Sequence, residues 1–359
     1  MKTDIRRNII FGLSLLSLGV FILSRFISPV KDSVKDKDML KASETMARAI
    51  QALRACALPS RETASRADDP NRTGLIGLES SPITTSLGNL EAKRTSTNPN
   101  FAGLVVHLLK KAGVERGDTI AVGASSSFPA LIVATLSAAK ALGLKPLVIN
   151  SLGASQWGAN DPRFTWLEMS ECLHRADIFD VRPLAVAVGG ENDAGTNMPE
   201  EGRALLAEKI RRSGTAILDQ PDLIMNVRTR MKVYEDGAGP AKLKAFVNIG
   251  GNWANLGTDS VVLKLKPGLN GSVEIPMPQR RGVIHEMALR KIPVIHLLYV
   301  KGLAEPFGLP WDPIPLPQPG EGRLYERAQR PSELFLTLAG LYLLMVAAGL
   351  SFFEFSKRP

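Results

Sequence analysis

Three short stretches combine small residues with clustered polar donors, a pattern suited to holding an anion or a polar ligand. In Gly123-Ala-Ser125-Ser126-Ser127-Phe128-Pro129 an apolar strand pattern gives way to a helix, where free backbone amides and the positive end of the helix dipole suit negative charge. Helix capping ahead of Pro129 would account for Ser127, but not for three serines in a row. Asn150-Ser151-Leu-Gly153-Ala-Ser155-Gln156-Trp157-Gly158-Ala-Asn160 follows the next strand pattern, is dense in donors, and supplies Trp157 as a wall or stacking surface. Asn248-Ile-Gly250-Gly251-Asn252 follows a third strand pattern, and its glycines let a backbone approach a ligand closely.

A fourth stretch, Thr73 to Gly88, joins the acid Glu79 to Thr84, Thr85 and neighbouring hydroxyls, with Lys93 shortly after. The candidate binding residues are therefore Glu79, Thr84, Thr85, Ser125, Ser126, Ser127, Ser151, Ser155, Gln156, Trp157, Asn160, Asn248, Gly250, Gly251 and Asn252. A hydrolase or amide transferase would use Ser126 or Ser127 as nucleophile, Lys93 as base, and amides near Gly251 for the oxyanion. Against it, the chain has no GxSxG elbow and no clear Ser/His/Asp order, and hydroxyl-rich loops commonly serve only as turns.

No cofactor or metal is expected. Neither GxGxxG spacing nor a P-loop lysine is present. His285-Glu286 would need a second histidine at Leu289 to make a zincin, and His107, His174 and His296 sit on apolar patterns.

The elements that would position these loops alternate. Strand patterns at 118–124, 145–150, 184–188, 216–218, 244–249 and 292–298 are interleaved with helical ones at 98–113, 129–142 and 199–212. Repeated strand–helix alternation implies an α/β domain with a doubly wound, mainly parallel sheet, whose ligands collect at the carboxyl edge. Upstream, Met39, Ala42, Met46, Ala49, Ile50 and Leu53 recur at helical spacing, predicting a helix that packs on the domain.

Both ends are apolar. Ile9 to Ile27, with Arg25 as its one charge, and Leu334 to Phe353, with none, each approach the ~20 residues that span a bilayer. Lys2, Arg6 and Arg7 would also suit a cleaved signal peptide, but the long apolar stretch and Pro29 favour a retained anchor. The predicted order is an anchor (1–29), a helical stalk and polar link (30–72), the α/β domain (73–304), a proline-rich connector (305–330), and a second span with its tail (331–359).

Basic residues at the tails, including Lys357 and Arg358, place both termini in the cytoplasm and the domain outside the inner membrane. The inner flanks carry Lys31, Lys35, Arg327 and Arg330 as well, but long loops cross largely regardless of charge. The formal net charge of +9 suits polyanions or acidic membrane, with no nucleic-acid motif. Cys56 and Cys172 leave pairing open.

The segments GLIGLESSPITTSLGNLEAKRTSTNPNF, GDTIAVGASSSFPAL, NSLGASQWGANDPRFTWLEM and AFVNIGGNWANLG, in this order between two apolar ends, resemble the poly-gamma-glutamate system protein family. The resemblance covers most of the chain between those ends. It implies an accessory membrane protein of capsule-type poly-γ-glutamate synthesis and export in bacteria, with the polymer or its synthase and export components, and the lipid bilayer, as partners. It carries over no catalytic residue. A small-metabolite sensor is the third reading, on fold analogy alone.

Overall fold

A computed structural model describes residues 2–26, 36–57, 67–220, 222–326 and 333–355. Residues 58–66 of the polar link, and Lys31, Lys35, Arg327, Arg330, Lys357 and Arg358, lie outside the described residues. The chain divides into two compact units, 36–325 and the two termini together.

The larger unit is a seven-stranded sheet: β1 (Thr119–Ser125), β2 (Lys145–Ser151), β3 (Ala185–Ala187), β4 (Ala216–Ile217), β5 (Leu243–Ile249), β6 (Gly268–Asn270) and β7 (Val294–Leu297). Its order is β4-β3-β2-β1-β5-β7-β6, and only the β6–β7 pair is antiparallel. That edge strand is not among the strand patterns of the sequence: Gly268-Leu-Asn270 is short and opens on a glycine. In chain order the helices are α1 (Lys2–Phe26), α2 (Lys37–Ala57), α3 (Leu90–Ser96), α4 (Asn100–Lys111), α5 (Pro129–Leu142) and α6 (Trp166–Arg175). They continue with α7 (Glu200–Ser213), α8 (Leu223–Ala238), α9 (Trp253–Leu256), α10 (Val283–Leu289), α11 (Val300–Ala304) and α12 (Glu333–Phe355).

Alternate residues of each central strand feed two cores, which is what double winding requires. Val122, Val148 and Val247 join residues of α2, α4 and α5 on one face. Ala121, Ile149 and Phe246 join Val227, Met231 and Tyr234 of α8 and Val283 and Met287 of α10 on the other. α5 starts with Pro129, whose missing N–H is harmless in a first turn, and stops at Gly143 in the left-handed region.

The upstream helix packs on the domain as its spacing predicts, and the proline-rich connector belongs to the same unit. Met39, Ala42, Met46, Ala49, Ile50 and Leu53 of α2 are all buried, and α2 packs on α4 and α5. A disulfide, Cys56–Cys172, joins α2 to α6. The proline-rich run is a strap fastened to the domain surface: Arg94 pairs with Asp312, Asn71 Nδ2 donates to the Pro313 carbonyl, and Asn100 Nδ2 to that of Gln318. Proline removes backbone donors, so side chains from the domain satisfy the strap's carbonyls.

In the smaller unit α1 and α12 pack together, with Ser17 Oγ 2.9 Å from Tyr342 Oη. Leu334–Ser351 of α12 is long and apolar enough to cross a membrane, at mean hydropathy 2.1. The apolar part of α1, Ile10–Ser24, is shorter. One helix, rather than the two expected, meets the spanning requirement among the described residues.

Candidate functional site

From β1 the chain winds outward through β2, β3 and β4, then returns to place β5 on the other side of β1. Connections therefore leave β1 and β5 in opposite directions, and the crevice they open at the carboxyl edge is where doubly wound sheets bind ligands. A cavity of about 420 Å³ lies there. Ser125, Ser127 and Phe128 form one side, Ser151, Gly153 and Ser155 a second, and Gly251, Asn252 and Trp253 a third.

The sequence candidates divide accordingly. Thr85, Ser125, Ser127, Ser151, Ser155, Gly251 and Asn252 line the crevice together. Gly250, at φ +76°, makes the turn just beneath; a Cβ there would stand 3.1 Å from Ser125 Cβ. The others shape the loops from behind. Ser126 is fully buried and donates to Asn150 Oδ1 at 3.0 Å. Asn160, also fully buried, accepts from the Leu78 amide and donates to the Leu78 carbonyl and to Thr84 Oγ1. Gln156 Oε1 accepts from the Gly88 amide, Trp157 O from the Gly77 amide, and Glu79 is exposed. Asn248 Nδ2 donates to Gly250 O and to His296 Nδ1, which fixes the histidine proton on Nε2. Burial holds the His296 pKa down at about 4, so this pair is neutral.

Two polar centres support the walls. Asp193 and Arg230 form an ion pair with both side chains 0% exposed. Ser151 Oγ donates to Asp193 Oδ1 at 2.7 Å, and Arg230 Nε to Asn226 Oδ1 at 2.9 Å. The Asn252 amide donates to Asp193 Oδ1 at 2.6 Å, so the carboxylate locks two lining residues in place. Full burial of the two charges is offset by their pairing and by the bonds Asp193 accepts from Ser151 and Asn252, while Arg230 Nη1 is left without a hydrogen-bond partner.

Lys93 is the second centre. Asn89 caps α3 by accepting from the Ala92 amide, and the following turn carries Lys93 into the interior, where it is 3% exposed. Its Nζ bonds the Ser127 carbonyl and, at 2.7 Å, Ser155 Oγ, and lies 4.0 Å from the centre of the Phe128 ring. The ring face favours the ammonium, but burial with no carboxylate beside it disfavours it more and pulls the pKa down to about 7. The serine reached through its hydroxyl is Ser155. Ser127 Oγ instead accepts from the Ser155 amide at 3.0 Å and from Ser125 Oγ at 3.1 Å.

Sequence reasoning did not find Glu191, Asn197 and Leu298 of the lining, or Asp193 and Arg230 behind it. The Gly189-Gly190 pair directly after the β3 pattern was the available signal for the first of these. The lining holds one carboxylate, Glu191, and no lysine or arginine among the described residues. Its donors are thus neutral hydroxyls and amides, suited to an amide-bearing or polar ligand. Among the described residues no group of three or more His, Cys, Asp or Glu side chains converges as a metal site would require. Comparison with protein families, with curated proteins and with solved structures gave no match.

Proposed function

We propose that this chain is an accessory membrane protein of poly-γ-glutamate synthesis and export, which holds the polymer in the crevice between β1, β2 and β5. The observation that carries the reading is the crevice itself: seven residues selected as ligand-binding from sequence converge on one cavity of about 420 Å³ at the switch point. The polymer offers an amide in every repeat, and a wall of hydroxyls and side-chain amides is complementary to that backbone. Its carboxylates are left to solvent and to the basic surface expected of a chain with net charge +9.

In this reading Ile9–Ile27 and Leu334–Phe353 both span the bacterial inner membrane, both termini are cytoplasmic, and the domain faces outward. The Cys56–Cys172 disulfide supports that placement, since such bonds persist in oxidising compartments.

The test is retention of the full chain, in detergent micelles, on immobilised poly-γ-glutamate, with elution by free γ-linked glutamate oligomers. Retention that oligomers reverse supports the reading. Absence of retention, together with no synthase component copurifying from membranes, rejects it, and a thermal shift with small metabolites alone would point to a sensor.

A further inference from the structure

We infer that Ser155 and Lys93 form a nucleophile–base pair, and that the crevice is the active site of an acyl-transfer enzyme acting on an amide or ester carbonyl. The inference concerns the same cavity as the proposed function but does not depend on the polymer being the ligand.

Four observations carry it. Ser155 is one of the residues that line a ligand-sized cavity. Lys93 Nζ stands 2.7 Å away, on the protein side of that wall. The amine is enclosed by Phe128 and the loop after β1, and no carboxylate holds it as an ammonium. Finally, both backbone neighbours of the pair are fixed: the Ser127 carbonyl accepts from Nζ, and the Ser155 amide donates to Ser127 Oγ. A lysine needed only to fasten α3 to these loops would be expected to keep its charge and face a carboxylate or solvent. A neutral amine with one proton on the Ser127 carbonyl can turn its lone pair to the Ser155 hydroxyl, which is the geometry of a general base.

The step balances as follows. Ser155 Oγ bonds to the carbonyl carbon while its proton passes to Lys93 Nζ. The C–N or C–O bond then breaks, the proton moves from Nζ to the leaving amine or alcohol, and an acyl ester remains on Ser155. Water, or an acceptor amine, attacks that ester and gives its proton to Nζ, from which it returns to Ser155 Oγ, releasing acid or a new amide. Ser126, by contrast, is tied to Asn150, and Ser127 is reached by Lys93 only through its carbonyl.

The test treats the full chain in detergent micelles with a fluorophosphonate, which phosphonylates an activated serine, and maps the adduct by peptide mass. The adduct is expected on Ser155, forming faster as pH rises through about 7 as Lys93 loses its proton. Lys93→Met should slow it by roughly 100-fold or more. Ser155→Cys supplies a second reading, since alkylation of its thiol should show the same dependence on Lys93. No adduct on Ser155 in the folded chain, or a rate indifferent to both pH and Lys93→Met, would overturn the pair. If Lys93→Met fails to fold, the pH profile of the unsubstituted chain decides. Polymer retention without labelling would remove the chemistry and leave the binding reading; labelling without retention would do the reverse.

Discussion

Asn252 Nδ2 lies 2.6 Å from Ser151 Oγ, a bond that reaches across β1 to tie the loop after β5 to the end of β2. Both side chains also bond Asp193, so the two sides of the crevice share one buried carboxylate whose charge Arg230 balances. The cavity is held open by a polar lattice behind its walls.

Removing that carboxylate should therefore be far more damaging than losing one surface contact. Asp193→Ala leaves a fully buried guanidinium uncompensated, and urea unfolding is expected to show a loss of about 3–5 kcal/mol. A loss under about 1 kcal/mol would mean that the pair is solvated in solution.

The disulfide closes a loop across a separation of 116 residues, tying α2 to the domain. Cys56→Ser should lower stability by about 2–5 kcal/mol on chemical unfolding. Chain isolated from membranes with thiols blocked should gain no alkyl mass after denaturation without reductant, and two alkylated cysteines would contradict an oxidised domain.

Lys93 makes stability depend on pH in a defined direction. Its folded-state pKa, about 7, is below its ordinary value of 10.5. Below about pH 7 both states hold the proton, and the folded state bears the whole penalty of a buried ammonium. Between about 7 and 10.5 only the unfolded state holds it, so stability rises with pH, at up to about 1.4 kcal/mol per unit. The difference in unfolding free energy between the unsubstituted chain and Lys93→Met should show that slope; a flat difference would contradict a neutral buried amine.

Gly251 lines the crevice, and a Cβ added there meets nothing closer than Leu256 Cδ1 at 4.0 Å. Gly251→Leu should fold with little change in melting temperature while filling the cavity and abolishing retention on the polymer. Retention equal to that of the unsubstituted chain would place binding elsewhere.

How far the sequence reaches is clearest in single residues. α5 was readable to the residue because Pro129 and Gly143 mark its ends by backbone chemistry alone. The carboxyl-edge loops were readable because each follows a continuous apolar strand, as buried parallel strands do. α8 was missed because Asn226 and Arg230 interrupt its apolar face, and nothing local says that Arg230 pairs with Asp193, 37 residues away, while Asn226 accepts from Arg230. Lys93 is legible as a candidate base, but its partner is not: burial against Ser155, rather than a bond to the hydroxyl of Ser126 or Ser127, exists only once the loops after β1 and β2 close over it. The strap at 305–325 reads as a linker for the converse reason: prolines advertise stiffness, while the side chains that fasten them, Arg94 and Asn100, lie some two hundred residues earlier.

The central claim is that ligand meets the chain at the crevice between β1, β2 and β5. Hydrogen exchange of the full chain, with and without γ-linked glutamate oligomers, tests it most directly. The account predicts slowed exchange confined to residues 125–128, 151–156 and 250–253. Slowing on the helices far from these loops, or no change at saturating oligomer, would contradict it.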